Sequence, residues 1–260
     1  MKLTVLGSGK SDLPLHFRNT AAHLITDKSN KILLDCSDGT RSQLAKIGLT
    51  SLDIDAVFFS HFHPDHFSPN CFLQDYLVHY FRNPSKKMKL RIFGPVNLKE
   101  KLADSWDAGW GKGKFEELLL KNIDIHVQEI LTGDSIKFND LTVTGYTVKH
   151  ADMDALAFRV ESDGKVISYS GDSTDCPGLD SAAKNSDIFL CEAAIPSIGP
   201  DSDMMHLSAK GALKIALKAK AKKLVLTHYS DDKEELVNFF NINQHHLDVD
   251  VADDLSEFDL

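Results

Sequence analysis

Ser60-His61-Phe62-His63-Pro64-Asp65-His66 begins where the buried-strand pattern of Asp55 to Ser60 runs out. It sets four potential metal ligands, His61, His63, Asp65 and His66, within six residues. In a shuffled chain of this composition such an H-x-H-x-D-H pattern would arise roughly three times in a thousand, so it stands out as a signal. Residues i and i+2 of an extended segment face the same way, so His61 and His63 can hold one ion. A turn at Pro64 then brings Asp65 and His66 toward a second.

Outward from this stretch, three further ligand types stand where strands run out. His150 follows Leu141 to Val148, Asp172 follows Val166 to Tyr169 within Ser170-Gly171-Asp172-Ser173, and His228 follows Leu224 to Thr227. Strand ends can share one rim of a fold, so the spacing predicts a dinuclear centre there.

The pattern between these points alternates. Leu3 to Leu6, Ala22 to Thr26, Lys31 to Asp35 and Leu90 to Phe93 read as strands, with helices over Arg41 to Ile47, Cys71 to Phe81 and from Leu98. Residues 123 to 171 form short alternating runs between turn residues and predict antiparallel sheet. Then follow the strand Ile188 to Cys191, a helix from Ser208, the strand Leu224 to Thr227, a helix from Lys233 to Phe240 and the strand Leu247 to Val251. No linker, repeat or low-complexity segment interrupts residues 1–260. The expectation is one α+β domain of two mixed β-sheets with helices outside.

Composition narrows the classes. With 260 residues, 42% hydrophobic and 26% charged, the chain can bury about three quarters of its unfolded surface, and disorder is excluded. No apolar run is long enough for a membrane span and no signal peptide opens the chain, so a cytoplasmic protein is expected. Cys36, Cys71, Cys176 and Cys191 lack C-x-x-C spacing and read as reduced thiols. The net charge of −9 is concentrated at the C-terminus: residues 231 to 260 hold ten acids against Lys233, and the remainder balances at 28 acids and 28 bases. The tail reads as an acidic surface, His245-His246 included. Lys210, Lys214 and Lys218, with Lys220, Lys222 and Lys223 beyond, and the stretch Arg82, Lys86, Lys87, Lys89 and Arg91, read as solvated basic faces able to attract a phosphorylated substrate. Gly7-Ser8-Gly9-Lys10-Ser11 is no phosphate loop, because Thr4 stands where that motif needs glycine.

On these residues the sequence resembles the metallo-β-lactamase superfamily over nearly its whole length. The resemblance implies an αββα sandwich with His61, His63 and His150 on one ion, Asp65, His66 and His228 on the other, and Asp172 bridging. Two divalent ions are implied, zinc by the imidazole-rich set, with manganese or iron as the other candidates. Glu192-Ala193-Ala194 and His206-Leu207-Ser208 are similar to the paired H-E-A-T and H-S-T motifs of ribonuclease Z, and Leu13 to Thr20 to its P-S-x-x-R-N-T segment. In that family the His and Glu assist proton transfer to the leaving oxygen, which maps to His206 and Glu192. Only 21 residues separate His150 from Asp172, where ribonuclease Z inserts the arm that grips the tRNA elbow. Trp106 to Gly113 has no counterpart and is expected as a loop over the site.

The function expected is a dinuclear hydrolase acting on a small or cyclic phosphodiester. A hydroxide bridging the metals would attack phosphorus, Asp65 would orient it and His206 would protonate the leaving oxygen. Ribonuclease Z-type cleavage of tRNA is the alternative, as is hydrolysis of a carbonyl ester, thioester or lactone on the same fold. A metal-binding scaffold without catalysis fits the intact ligand set poorly. Long nucleic acid is a less favoured partner than a small diester, no membrane partner is expected, and homodimerisation is carried over from relatives.

Overall fold

The short apolar runs, most of them buried on both faces, resolve into two facing sheets. The computed structural model describes residues 1–10, 18–85, 88–197, 199–242 and 246–260. Its first sheet is built from β1 (Lys2–Gly7), β2 (Ala22–Thr26), β3 (Lys31–Leu34), β4 (Ala56–Phe58), β5 (Lys89–Gly94) and β6 (Asp124–Glu129). The second contains β7 (Ser135–Phe138), β8 (Leu141–His150), β9 (Met153–Ser162), β10 (Lys165–Tyr169), β11 (Ile188–Ala193), β12 (Lys223–Tyr229) and β13 (Asp248–Val251). The last strand, β14 (Ser256–Asp259), returns to the first sheet. The orders are β14-β1-β2-β3-β4-β5-β6 and β13-β12-β11-β10-β9-β8-β7.

Alternate residues explain the layering. Ala56 and Phe58 of β4 face Leu156, Phe158, Ile167 and Leu190 between the sheets. Val57 and Phe59 turn the other way, toward α2 (Asn70–Arg82) and α3 (Leu98–Trp110), with α1 (Thr40–Lys46) on the same side. On the second sheet Phe189 and Cys191 meet α4 (Pro177–Ala183), α5 (Ala209–Ala219) and α6 (Lys233–Ile242). The result is the expected αββα order.

Three expectations need correction. Residues 123 to 171 are not one antiparallel sheet: β6 joins the first sheet parallel to β5, and β10 pairs parallel with β11. Periodicity marks a strand but not its neighbour, and the neighbour is chosen by the chain reversal before it. Trp106 to Gly113 is no lid, since Trp106 to Trp110 end α3 and Trp106 is fully buried in the outer apolar layer of the first sheet. The acidic C-terminus is more than surface: β14 closes the first sheet against β1, and Lys2, Lys223 and Lys233 pair with Glu257, Asp248 and Asp253. Leu13 to Phe17, Lys86, Lys87 and His245 lie outside the described residues.

Candidate metal centre

The site forms where strands of both sheets end on one rim. His61 leaves β4 with its ring fully buried, and the turn after Pro64 buries His66 beside it. His150 ends β8, and Asp172 stands three residues beyond β10. Gly171 makes that approach possible: at φ +56, a Cβ here would come within 2.8 Å of the Leu156 carbonyl oxygen and 2.9 Å of Ser60 Cβ.

His228 lies within β12, not beyond it, and reaches the rim through a backbone break. Leu224 and Leu226 face the helices, so strict alternation would send His228 there too. Instead His228 adopts φ +49, the pairing with β11 slips between Glu192 and Ala193, and Tyr229 takes the helix-facing position. The bulge flips the parity of the strand and frees the His228 ring for the rim.

Among the described residues three groups of ligand atoms lie within 4.8 Å: His61, His63, His150 and Asp172; Asp65, His66 and His228; and, at the edge, Asp172, Glu192 and His206. Within the first, His63 Nδ1 lies 3.1 Å from His150 Nε2. Within the second, His66 Nε2 lies 3.1 Å from His228 Nε2, and His228 Nε2 lies 3.3 Å from Asp65 Oδ2. Asp172 stands between these two. Its Oδ1 is 3.2 Å from His66 Nε2 and 3.7 Å from His228 Nδ1, while its Oδ2 is 3.8 Å from His61 Nε2 and 3.9 Å from His150 Nε2. One carboxylate thus presents one oxygen to each cluster.

These donors suit divalent cations. His61 Nε2, Asp172 Oδ1 and His228 Nδ1 are buried without a hydrogen-bond partner, and such polar atoms are costly unless something converges on them. Burial holds the His61 imidazole well below its usual range and so keeps its lone pair available. Burial opposes ionisation of Asp172, but His228, His66 and His61 outweigh it and hold the carboxyl well below the usual carboxylate range.

Sequence reasoning missed the residue beneath the cluster. Asp35, left-handed at φ +60 just past β3, is fully buried and receives Ser60 N (2.6 Å), Ser60 Oγ (2.8 Å) and the Tyr169 hydroxyl (2.7 Å). His66 Nδ1 lies 2.8 Å from Asp35 Oδ2, and His61 Nδ1 lies 3.0 Å from Ser60 Oγ. Because Ser60 donates to Asp35, its oxygen accepts from His61 Nδ1–H. Asp35 thereby fixes both imidazoles with Nε2 directed at the cluster, one directly and one through Ser60. Its signal was legible as a charge ending an apolar strand, Lys31 to Asp35. On the His150 side the Met205 carbonyl does the same task, accepting from Nδ1 at 2.7 Å.

Glu192 and His206 meet at the edge of this arrangement. Glu192 follows Ile188 and Leu190 on the inner face of β11 and is fully buried. It accepts Ser173 N at 2.7 Å and Ala194 N at 3.2 Å, and His206 Nδ1 lies 3.1 Å from its Oε2. Burial pushes the Glu192 carboxyl up. For His206 burial acts downward, but the bond and charge of Glu192 prevail and raise the imidazole. Lys10, His63, Pro64, Asp65, Asp172, Met205, His206 and His228 line one cavity of about 400 Å³. A cavity of about 660 Å³ between α1 and α2 holds none of these groups.

Residues 30–229 match the family model of the beta-lactamase superfamily domain. Ribonuclease Z of Methanosarcina acetivorans is 26% identical, with 100% of this chain and 98% of that protein covered. The alignment runs over 318 positions against 260 residues here, so at least 58 positions face a gap in this chain. Among solved structures, the metallo-beta-lactamase fold protein YhfI from Bacillus subtilis superposes with a TM-score of 0.82 at 20% identity, covering 99% of this chain and 98% of that one. The short form of human tRNase Z superposes at 0.76 and 22% identity, covering 100% and 99%.

Proposed function

This chain belongs to the beta-lactamase superfamily, and from that premise we propose that it is a metal-dependent hydrolase of a small phosphodiester. His61, His63 and His150 would hold one divalent ion, Asp65, His66 and His228 a second, and Asp172 both. Such ions supply Lewis acidity and lower the pKa of water from 15.7 toward about 7.

The residues supply the rest. Asp65, largely buried at the cavity wall, would accept a hydrogen bond from the attacking water and set its direction. His206 engages Glu192 through Nδ1, which leaves Nε2 to hand a proton to the leaving oxygen. The bond and charge of Glu192 raise the proton affinity of that imidazole. A carbonyl ester, thioester or lactone has less need of this pair, which favours phosphorus as the electrophile.

The observation that carries the small substrate is the path from His150 to Asp172. Two residues, Ala151 and Asp152, turn β8 into β9, and Asp163-Gly164, both at positive φ, turn β9 into β10. No arm leaves the body there. The lysines of α5 offer little open positive field either, because Lys210 and Lys214 pair with Asp201 and Lys218 with Asp180. A long polyanion gains mainly from unpaired phosphate contacts.

Cleavage of tRNA is the competing reading, favoured by the full-length similarity to ribonuclease Z. Side-by-side kinetics on bis-p-nitrophenyl phosphate, a cyclic nucleotide, a thioester and precursor tRNA separate the two. The expected result is kcat/KM highest on a small diester. A value on precursor tRNA well above every small diester overturns it.

A further inference from the structure

The turn between β13 and β14 carries Asp254, and its carboxylate gathers five hydrogen bonds. Oδ1 accepts from Ser8 N and Ser8 Oγ, each at 2.9 Å. Oδ2 accepts from Asn19 N at 2.8 Å, Asn19 Nδ2 at 2.6 Å and Gln43 Nε2 at 3.1 Å. Ser8 lies just past β1, Asn19 shortly before β2 and Gln43 on α1, so one side chain from the C-terminal turn ties three separate pieces of the N-terminal half. Gly9 N donates to the Asn19 carbonyl at 2.8 Å beside it, completing the junction.

This junction touches the candidate metal centre through one bond. The Ser8 carbonyl accepts the His228 N–H at 2.8 Å and Arg18 Nη1 at 3.0 Å. His228 is the left-handed residue of β12, a conformation that is strained for a non-glycine residue and persists only where its surroundings dictate it. Its N–H has left the strand ladder at the bulge, and Ser8 is the partner that receives it. Whatever fixes Ser8 therefore fixes the φ that points the His228 ring at Asp65 and His66.

We propose that Asp254 is a positioning residue for the second metal, holding Ser8 so that His228 stays turned into the Asp65–His66–His228 group. The inference rests on the two-ion reading above. The first group, His61, His63 and His150, has its own supports in Ser60 and the Met205 carbonyl, so loss of Asp254 acts on one ion and spares the other.

The test is a zinc titration by calorimetry with the cobalt absorption spectrum as a second readout, on the full chain. Wild type binds two ions. In Asp254→Ala one of the two steps loses about tenfold or more in affinity and the cobalt spectrum of that step changes, while the other step stays within about twofold. Asp254→Asn keeps an acceptor for Ser8 but turns an amide toward Asn19 and Gln43, so it falls between, and it carries the test should the alanine variant not fold. Equal weakening of both steps, or two unchanged steps, overturns the proposal. A wild-type chain that takes at most one ion overturns the two-ion reading itself.

Discussion

His206 is raised by the bond and charge of Glu192 against the effect of its own burial, and the proposed acid role rests on that pair. Replacing His206 by Ala is expected to leave metal content intact and to slow a diester with an alkyl leaving group by about 10²-fold or more. A p-nitrophenolate leaving group needs little protonation and should lose much less, so equal losses would contradict the acid role. The pH dependence follows from the raised His206. The donor works while protonated, so turnover of the alkyl diester is full below its pKa and falls as pH rises through it. Glu192→Gln removes the partner that raises the imidazole, so the alkaline limb should move to lower pH. A limb that stays in place would detach Glu192 from the step.

At the scale of elements, the site depends on places where regular strands break. Asp35, Gly171 and His228 all have positive φ, and each sits where a strand delivers a side chain to the rim. Gly171 is the least replaceable, because its Cβ would press on a backbone carbonyl. Gly171→Ala should cost about 1–3 kcal/mol, lowering Tm on the order of 5 °C for a chain this size, and should displace Asp172. Thermal melting with metal analysis checks this: a variant with wild-type Tm and full metal content would show that the loop yields easily.

The whole molecule places the candidate centre where its two sheets end together, so an ion held there would join parts that are far apart in sequence. Among the described residues no helix is long and apolar enough to cross a membrane. Zinc at about a thousand times its Kd should stabilise the fold by about 4 kcal/mol, and a chelator should remove this. Differential scanning calorimetry with and without chelator should therefore differ by about 8–16 °C. No difference would mean that the clustered imidazoles bind no ion.

The reading of strands and helices from apolar patterning agrees closely with the structure, because most strands are buried on both faces and so stand out as short apolar runs. The four ligand types from His61 to His66 were legible for a similar reason: they are close in sequence, and local geometry constrains them. His150, Asp172 and His228 could be placed at strand ends, but their meeting depends on two sheets closing on a common rim. Pairing was beyond the sequence, as β6 and β14 show, because backbone hydrogen bonds are the same whichever strand supplies them. Asp35 and Asp254 read only as charges near strand ends. What they do was decided by the tertiary structure, which buries one beneath two imidazoles and brings the other, from near the C-terminus, onto Ser8 and Asn19.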